Sequence, residues 1–259
     1  MKKLLLGILL LGIVPFFMNS CSKNKQAARL NIYLTDDPAE YDEVNIDIQQ
    51  VFINKGENGS DSWKEIPITP GVFNLLEFRN GFDTLLGSIE LPAGKISQIR
   101  LVLGNNNTLK EGAVLHKLET PSAQQSGLKL NVQTELTEGI TYKLWIDFDA
   151  ARSIVKAGNS GKYLLKPVIR TYTEALSGAI KGFVIPATSN PWVYAIRGSD
   201  TVASAKPEAA TGYFLIKGLP AATYQLAIDG SNGYTDKTIS DILVVNGVVT
   251  NTGTTTLTQ

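Results

Sequence analysis

Residues 141–148 carry the sequence Thr141-Tyr142-Lys143-Leu144-Trp145-Ile146-Asp147-Phe148. Every second side chain, from Tyr142 to Phe148, is apolar, and the intervening ones are mostly polar. Successive side chains of a β-strand point to opposite faces of the sheet, so the four apolar ones share a face. The segment therefore predicts a strand that turns one face to a hydrophobic core and presents a largely polar second face.

The same period of two recurs through the N-terminal half of the chain. Alternating stretches lie at residues 30–34, 44–53, 99–103 and 128–132. Within 44–53 the apolar face slips by one residue at Gln49-Gln50, which predicts a β-bulge. A further stretch at 163–172 contains Pro167, which favours a sheet edge or a bulge. No window shows a long stripe with the 3.6-residue period of a helix, so we expect only short helical turns.

The composition changes at residues 174–178, after which Ala, Thr and Gly become frequent and charged residues become sparse. Alternating stretches follow at 179–185, 192–197, 212–217, 223–229, 242–245 and 248–257. Asn246-Gly247 lies between the last two and predicts a β-hairpin, because both residues tolerate positive φ. Short strands at this spacing are typical of a β-sandwich. The fold class is thus predicted to be all-β, with two antiparallel β-sandwich domains in tandem at residues 29–174 and 178–259.

The composition is that of a globular protein without net charge. The 259 residues include 24 Lys and Arg against 24 Asp and Glu, 43% hydrophobic residues, one Cys and one His. Such a chain is too apolar to be disordered, and it lacks the basic excess that a nucleic-acid-binding protein needs. The single Cys excludes an internal disulfide and a Cys-based zinc site. The single His, His116, leaves little for His-based metal or triad chemistry.

The N-terminus predicts a signal peptide. Lys2 and Lys3 precede an apolar run of 15 residues at 4–18. A membrane-spanning helix needs about 20 apolar residues, so the run fits the hydrophobic region of a signal peptide better than an anchor. The following Ser20-Cys21 resembles the lipobox of bacterial lipoproteins, in the loose form seen in Bacteroidota. This resemblance implies that residues 1–20 are removed and that Cys21 is acylated. An ordinary signal peptide ending near a buried Cys is the alternative.

Residues 21–28 would then form a lipidated polar tether. Ser22 stands where the inner-membrane retention signal favours Asp, and the tether carries no acidic stretch of the kind that marks surface export. We therefore expect a lipid-anchored protein of the outer membrane that faces the periplasm. Its predicted partners are the membrane, through Cys21, and a glycan or a protein, with no nucleic acid.

Several motifs of the N-terminal domain recur in a known order: residues 34–44 (LTDDPAEYDEV), 91–94 (LPAG), 99–104 (IRLVLG), 120–122 with 125–130, and 163–170 (YLLKPVIR). In this respect the domain resembles a family of Bacteroidota and archaeal envelope lipoproteins known only as a domain of unknown function. The resemblance covers nearly all of the domain. It implies an envelope β-domain and no known activity.

The C-terminal domain carries motifs at 178–182 (GAIKG) and 212–224 (GYFLIKGLPAATY). These look like carboxypeptidase-regulatory-like, transthyretin-like sandwiches, which are grouped with carbohydrate-binding-like folds. Many members have Gly where this chain has Ala222. The resemblance implies a fold and does not imply a ligand.

Six acidic side chains between positions 36 and 47 could form a calcium site, because hard cations bind several oxygen ligands placed close together. The candidate ligands are Asp36, Asp37, Glu40 and Asp42. A second interpretation needs no metal: Asp37 caps a helical turn whose first position is Pro38 and whose third is Glu40. We favour the cap and expect no cofactor, with calcium as the open alternative.

Two other groups of residues could carry function. Asp147 and Asp149 lie two apart and would share a strand face, as paired carboxylates of a glycosidase can; the alternative is that Asp149 caps a turn and one of the two pairs with Arg152. Trp192, Tyr194 and Tyr234 could stack against sugar rings, although a stripe such as Trp192, Tyr194 and Ile196 more often packs in a core.

Two functions of different classes remain open. The first is a non-catalytic envelope lipoprotein, not an enzyme, that binds a glycan, a peptide or a protein. The second is a carboxylate-dependent hydrolase acting on envelope or dietary polysaccharide. A hydrolase should gather its carboxylates in one concave pocket with at least one raised pKa, whereas a binding module should present a shallow aromatic surface or an edge strand.

Overall fold

The computed structural model describes residues 27–56, 63–120 and 126–259, and these residues form an all-β fold. The N-terminal part, residues 27–173, contributes thirteen strands to the described chain. They are β1 (Ala28–Asp37), β2 (Glu43–Asn54), β3 (Trp63–Ile66), β4 (Gly71–Asn74), β5 (Thr84–Leu91), β6 (Gly94–Leu103), β7 (Thr108–Glu111), β8 (Val114–Glu119), β9 (Leu128–Leu136), β10 (Thr141–Asp149), β11 (Ile154–Lys156), β12 (Tyr163–Leu165) and β13 (Ile169–Thr173). One short helix, α1 (Ala150–Ser153), follows β10, and single 3-10 turns lie at Leu75–Glu77 and Gly158–Ser160.

The strands of the N-terminal part form two sheets around one core. The smaller sheet has the order β13-β10-β1-β5, and the larger has the order β11-β12-β8-β7-β2-β6-β9, with β3 and β4 also paired to β2. Alternation explains the packing, because one face of each long strand is apolar. The inward side chains include Leu30, Ile32 and Leu34 of β1, Ile46 and Ile48 of β2, and Leu144, Ile146 and Phe148 of β10.

The predicted bulge is confirmed in β2. Its register against β6 shifts between Ile48 and Gln50, so Gln49 and Gln50 are both exposed while Val51 returns to the core. The stretch at 163–172 forms two strands in different sheets, β12 and β13, separated around Pro167. Proline has no N–H to donate to a ladder, which accounts for the break.

The C-terminal part, residues 177–259, has seven strands and its own core. The strands are β14 (Gly178–Ile185), β15 (Trp192–Arg197), β16 (Asp200–Ala205), β17 (Tyr213–Leu219), β18 (Ala222–Asp229), β19 (Lys237–Val244) and β20 (Val249–Thr256). They form two sheets with the orders β17-β14-β20 and β16-β15-β18-β19. Between the sheets lies a core that includes Ile180, Phe214, Tyr224, Leu226 and Ile228. Single 3-10 turns lie at Glu174–Leu176, between the two parts, and at Ala187–Ser189.

The predicted hairpin at Asn246-Gly247 is wrong, although the chain does turn there. The strands on its two sides lie in different sheets: β19 pairs with β18, and β20 pairs in parallel with β14. The Val248 N–H donates to the Val245 carbonyl, but the next bonds go elsewhere. The Gly247 N–H donates to Ser177, and Ala179 donates to Val248. The chain after the turn is therefore hydrogen-bonded to the start of β14 and does not pair with β19.

The sheets are also not purely antiparallel. Among the described strands, three pairs run in parallel: β1 with β10, β8 with β12, and β14 with β20. None of the helices in the described ranges has the length and apolar character needed to cross a membrane.

The two parts meet along the second faces of β1, β10 and β13. There Tyr33, Trp145 and Tyr172 stack, with ring centroids 5.6 and 5.3 Å apart. The C-terminal part approaches them with β16 and β17, where Lys217 lies 5.9 Å from the centre of the Trp145 ring. The second face of the opening segment is therefore a junction between the two parts of the chain.

Candidate functional site: a groove at the junction

A groove of about 630 Å³ runs between the two parts of the chain. Trp192 and Tyr194 form one wall. They alternate along β15, so their side chains share a face, and their rings stack with centroids 6.1 Å apart and planes 12° from parallel. The groove thus has an aromatic surface that is not consumed by the core of the C-terminal part.

The opposite wall comes from the N-terminal part. It consists of Glu40 and Tyr41, between β1 and β2, and of Asp149, Ala151 and Arg152 at helix α1. The Asp149 side chain accepts the Arg152 backbone N–H at 2.8 Å and pairs with the Arg152 guanidinium. This N-cap holds the short helix against the groove.

Two contacts to Glu40 cross the groove and connect its walls. The Trp192 indole N–H donates to Glu40 at 2.9 Å, and the Lys206 ammonium lies 3.4 Å from the same carboxylate and 4.8 Å from the Trp192 ring centre. The Trp192 hydrogen bond, together with Lys206, lowers the pKa of Glu40. Burial lowers the pKa of Lys206, and the nearby Glu40 opposes that shift.

Asp229 completes the polar rim. It pairs in register with Trp192 across β15 and β18, and it lines the groove. Burial raises the pKa of Tyr194, and the charge of Asp229 raises it further. Aromatic rings beside carboxylates, a guanidinium and the hydroxyls of Thr201 and Ser231 make a surface that can both stack and hydrogen-bond.

A second, much smaller cavity of about 20 Å³ lies deeper in the junction. Arg170 of β13 stands opposite Asp147 of β10 in the antiparallel register, and the two side chains pair at 2.6 Å. Arg170 also lies 3.4 Å from Asp37 and donates to the Lys217 carbonyl at 3.2 Å. We call this arrangement, with Asp36, the acidic cavity.

The carboxyl groups of the acidic cavity are held out of water. Burial raises the pKa of Asp37 to about 8, against the opposing effect of Arg170. Burial also raises the pKa of Asp147, again opposed by Arg170, and it raises the pKa of Asp36 well above its ordinary value. Desolvation of a charged carboxylate is the dominant cause in all three.

The model of one protein family, Domain of unknown function (DUF4382), matches residues 27–167. The chain belongs to this family. The DUF4382 match covers β1 to β12 and so includes the N-terminal wall of the groove together with Asp36, Asp37 and Asp147. Because it ends before β14, the resemblance of residues 178–259 to carboxypeptidase-regulatory-like domains stays a prediction.

No curated protein sequence matches the chain. Solved structures similar to it include the TIE protein of Bacillus anthracis, at 12% identity and a TM-score of 0.25 over 90% of this chain and 35% of that one. A fimbrial protein from Bacteroides ovatus is 9% identical, with a TM-score of 0.26 over 90% and 50% of the two chains. The minor pilin GBS52 of Streptococcus agalactiae is 10% identical, with a TM-score of 0.23 over 88% and 96%. The chain thus spans about a third and a half of the length of the first two, and similarities of this size do not establish a shared function.

The structure separates the acidic residues that the sequence grouped as candidate calcium ligands. Asp36 accepts the Ala150 N–H and Asp37 faces Arg170, whereas Glu40 pairs with Trp192 and Asp42 accepts the Gly112 N–H. Within the described ranges of the DUF4382 domain and the C-terminal part, no three His, Cys, Asp or Glu side chains converge as metal ligands would.

The predicted helical cap at Asp37 is also wrong. Asp37 is the last residue of β1, and residues 38–42 form a bend without helix. The Asp37 side chain is turned to Arg170 and the Ser204 N–H, so it is not available to cap a turn that begins at Pro38.

The other predicted candidates are placed as follows. Trp192 and Tyr194 come together in the groove, but Tyr234 bonds the Thr188 hydroxyl at 2.9 Å and packs against the C-terminal core. Asp149 forms the predicted cap and the predicted pair with Arg152, whereas Asp147 pairs with Arg170. Cys21, the signal peptide at 1–20 and most of the tether lie outside the described residues.

Arg170 and Lys217 are the functional residues that sequence reasoning missed. Arg170 belongs to the stretch 163–170 that carried the family resemblance, and Lys217 belongs to the stretch 212–224 of the C-terminal part. From the sequence, each looks like a charged side chain on the exposed face of a strand. Their buried partners could not be foreseen, because these come from strands that are distant in the sequence.

Proposed function

We propose that the protein is a non-catalytic module of the cell envelope that binds a carbohydrate in the groove between its two parts. The observation that carries this proposal is the stacked pair Trp192 and Tyr194 beside the groove. A sugar ring has an apolar face of C–H groups that packs on an aromatic surface, and its hydroxyls need hydrogen-bonding groups at the edge.

The charges of the groove favour a neutral or amine-bearing sugar over an acidic one. Three carboxylates, Glu40, Asp149 and Asp229, line it. Two of them are paired with the cations Lys206 and Arg152, while Asp229 has no ion-pair partner of its own among the described residues. The remaining negative charge would repel a uronic acid and would accept hydrogen bonds from hydroxyls or an ammonium group.

The same geometry supports binding better than hydrolysis. The carboxyl groups with raised pKa values, Asp36, Asp37 and Asp147, surround a cavity of about 20 Å³, which has room for about one water molecule and none for a sugar ring. In the groove itself, Asp149 is held by the helix cap and Arg152. The alternative hydrolase would need a free acid and base facing one another across the ligand.

The location that we propose follows from the N-terminal sequence. The apolar run at 4–18 and the following Cys21 support export and acylation, with the outer membrane as the site of anchoring and the periplasm as the space that the groove faces. The resemblance of residues 178–259 to carbohydrate-binding-like folds agrees with a role in glycan binding.

The test uses residues 21–259 with Cys21→Ser, titrated calorimetrically with a panel of neutral polysaccharides such as starch, xylan and mannan, and with the acidic polymer pectate. We expect at least one neutral polymer to bind. Trp192→Ala and Tyr194→Ala should each weaken that binding about tenfold or more, since loss of an aromatic contact removes one to a few kcal/mol.

The matched control is Trp63→Ala. Trp63 contacts Arg100 on the N-terminal part, and it is not a lining residue of the groove. Binding that survives both groove substitutions, or that depends on Trp63, would contradict the site. Release of reducing ends from the polymer, abolished by Asp149→Asn, would support the hydrolase instead.

A further inference from the structure

The acidic cavity contains more negative than positive side chains. The charged side chains of its lining are Asp36 and Asp37 of β1, Asp147 of β10, Arg170 of β13 and Lys217 of β17. Three carboxyl groups thus stand against two cations. Just outside the lining, Asp149 is paired with Arg152, and Asp83 lies 3.5 Å from Lys217. Tyr172 is the remaining titratable group in the lining.

Counter-ions cannot correct this imbalance, because the cavity has room for about one water molecule. Asp36, Asp37 and Asp147 are each less than a tenth exposed. Five polar atoms of the lining are buried without a hydrogen-bond partner among the described residues: Oδ2 of Asp36, Oδ1 of Asn80, Oδ1 of Asp147, Nη1 of Arg170 and Oη of Tyr172. A proton on a carboxyl oxygen would both reduce the charge and turn an orphaned acceptor into a donor.

We propose that the acidic cavity is a proton-dependent latch: the two parts dock when Asp37 carries a proton, and the junction opens when this proton is lost. Asp36 does not contact the C-terminal part: it pairs in register with Phe148 on the core face of the sheet, and its Oδ1 accepts the Ala150 N–H at 3.2 Å. Asp37 lies on the opposite face and takes the proton. It is the carboxyl group through which β1 contacts both Arg170 and the C-terminal part.

The pKa directions agree with this latch and set its pH window. In the docked state burial raises the pKa of Asp37 to about 8. An opened junction would return Asp37 to water and to its ordinary pKa near 3.8. The docked state therefore binds more protons between pH 4 and pH 8, and docking weakens as the pH rises through that range.

The latch bears on the groove because the walls of the groove lie on opposite sides of the junction. Glu40 and Arg152 belong to the N-terminal part, and Trp192 and Asp229 belong to the C-terminal part. Opening the junction would move these walls apart. That consequence rests on the proposed carbohydrate site, whereas the latch itself can be measured without any ligand.

The measurement is hydrogen exchange of the Ser204 backbone amide. Ser204 lies on β16, an edge strand, and its N–H donates across the junction to Asp37 at 3.4 Å, so its exchange reports on docking. The protein is residues 21–259 with Cys21→Ser, studied from pH 5 to pH 7.5 with exchange corrected for the intrinsic pH dependence. We expect the opening constant to rise about tenfold for each pH unit, which is the slope for one proton.

Two variants test the assignment. Asp37→Asn keeps an oxygen acceptor for the Ser204 N–H but cannot ionise, so it should remove the slope. Asp36→Asn keeps an acceptor for the Ala150 N–H and should leave the slope unchanged, because Asp36 stays buried when the junction opens. The matched control, Asp42→Asn, alters an exposed carboxylate that accepts the Gly112 N–H away from the junction, and it should leave the slope unchanged. An opening constant that does not depend on pH in the wild type would overturn the latch, as would an unchanged slope in Asp37→Asn.

Discussion

Gly218 of β17 lies directly against the ring of Tyr172 of β13. A Cβ atom added to Gly218 would collide with Cδ1 of Tyr172, far inside van der Waals contact. The two residues belong to different parts of the chain, so at this point of the junction the backbone of one part is in contact with a side chain of the other. Tyr172 also stacks on Trp145, which transmits any movement of the ring to β10.

We expect Gly218→Ala to weaken docking. Gly218 has φ +69°, so any side chain adds backbone strain of about 1 kcal/mol, and the collision with Tyr172 should add about 1–3 kcal/mol. Gly253→Ala is the matched control, because Gly253 has φ +73° and a Cβ added there would have no atom within 4 Å. Denaturant unfolding of both variants measures the difference, and equal losses would show that only backbone strain matters.

Arg170 should contribute far more to stability than Arg152, although each is paired with an aspartate. Replacing Arg170 with Met leaves Asp147 without its cation in a buried site, where breaking an ion pair costs about 3–5 kcal/mol. Arg152→Met removes a half-exposed pair, for which we expect a loss of about 1 kcal/mol or less. The comparison is made by urea unfolding at pH 7, and similar losses would contradict the burial argument.

Residues 178–259 should fold without the N-terminal part. Their core runs from Ile180 to Leu257 and lies within the segment. All strands of both of their sheets also belong to the segment. A domain of this size is small but sufficient for one sandwich core. Calorimetry of the isolated segment should show a cooperative transition, and the absence of one would place the domain boundary elsewhere.

Cys21→Ala should release the full-length protein from the membrane fraction. The prediction rests on the position of Cys21 three residues after the end of the apolar run at 4–18. An acyl chain supplies the apolar surface that holds a lipoprotein to the bilayer, and the variant has no thiol to carry it. Fractionation and intact mass are the measurements. A membrane-bound variant and a wild type without acyl mass would together exclude lipidation.

Much of the fold could be predicted from local alternation. The period of two predicts the apolar faces of β1, β2 and β10, and the extra residue at Gln49-Gln50 predicts the bulge in β2. Both features depend only on residues that are adjacent in the sequence. The aromatic residues Trp192 and Tyr194 could be named as a possible sugar platform for the same reason.

The acidic cavity could not be predicted, because its geometry is set by long-range pairing. Asp147 meets Arg170 only because β13 pairs with β10, and Asp37 contacts Ser204 only because the two parts dock. Local rules assigned Asp37 to a helix cap, which is a reasonable use of an Asp before Pro. The tertiary contact with Arg170 prevailed over that local preference.

The hairpin at Asn246-Gly247 failed for a related reason. The dipeptide specifies a reversal of the chain, and the reversal is present. Whether the two flanking strands then pair with each other depends on the competing partner, which here is β14.

The parallel pairings of β1 with β10 and of β14 with β20 decide when each part can form. Arg29 pairs with Thr141, and Ala179 pairs with Val249, so each sheet joins segments that emerge far apart in time during synthesis or export. Closing such long loops costs entropy before any contact compensates for it, and contacts of this separation slow folding. A chain threaded from its N-terminus could pair β1 with β5 and β14 with β17 early, but it would leave the other edge of each strand open and aggregation-prone until β10 and β20 arrive.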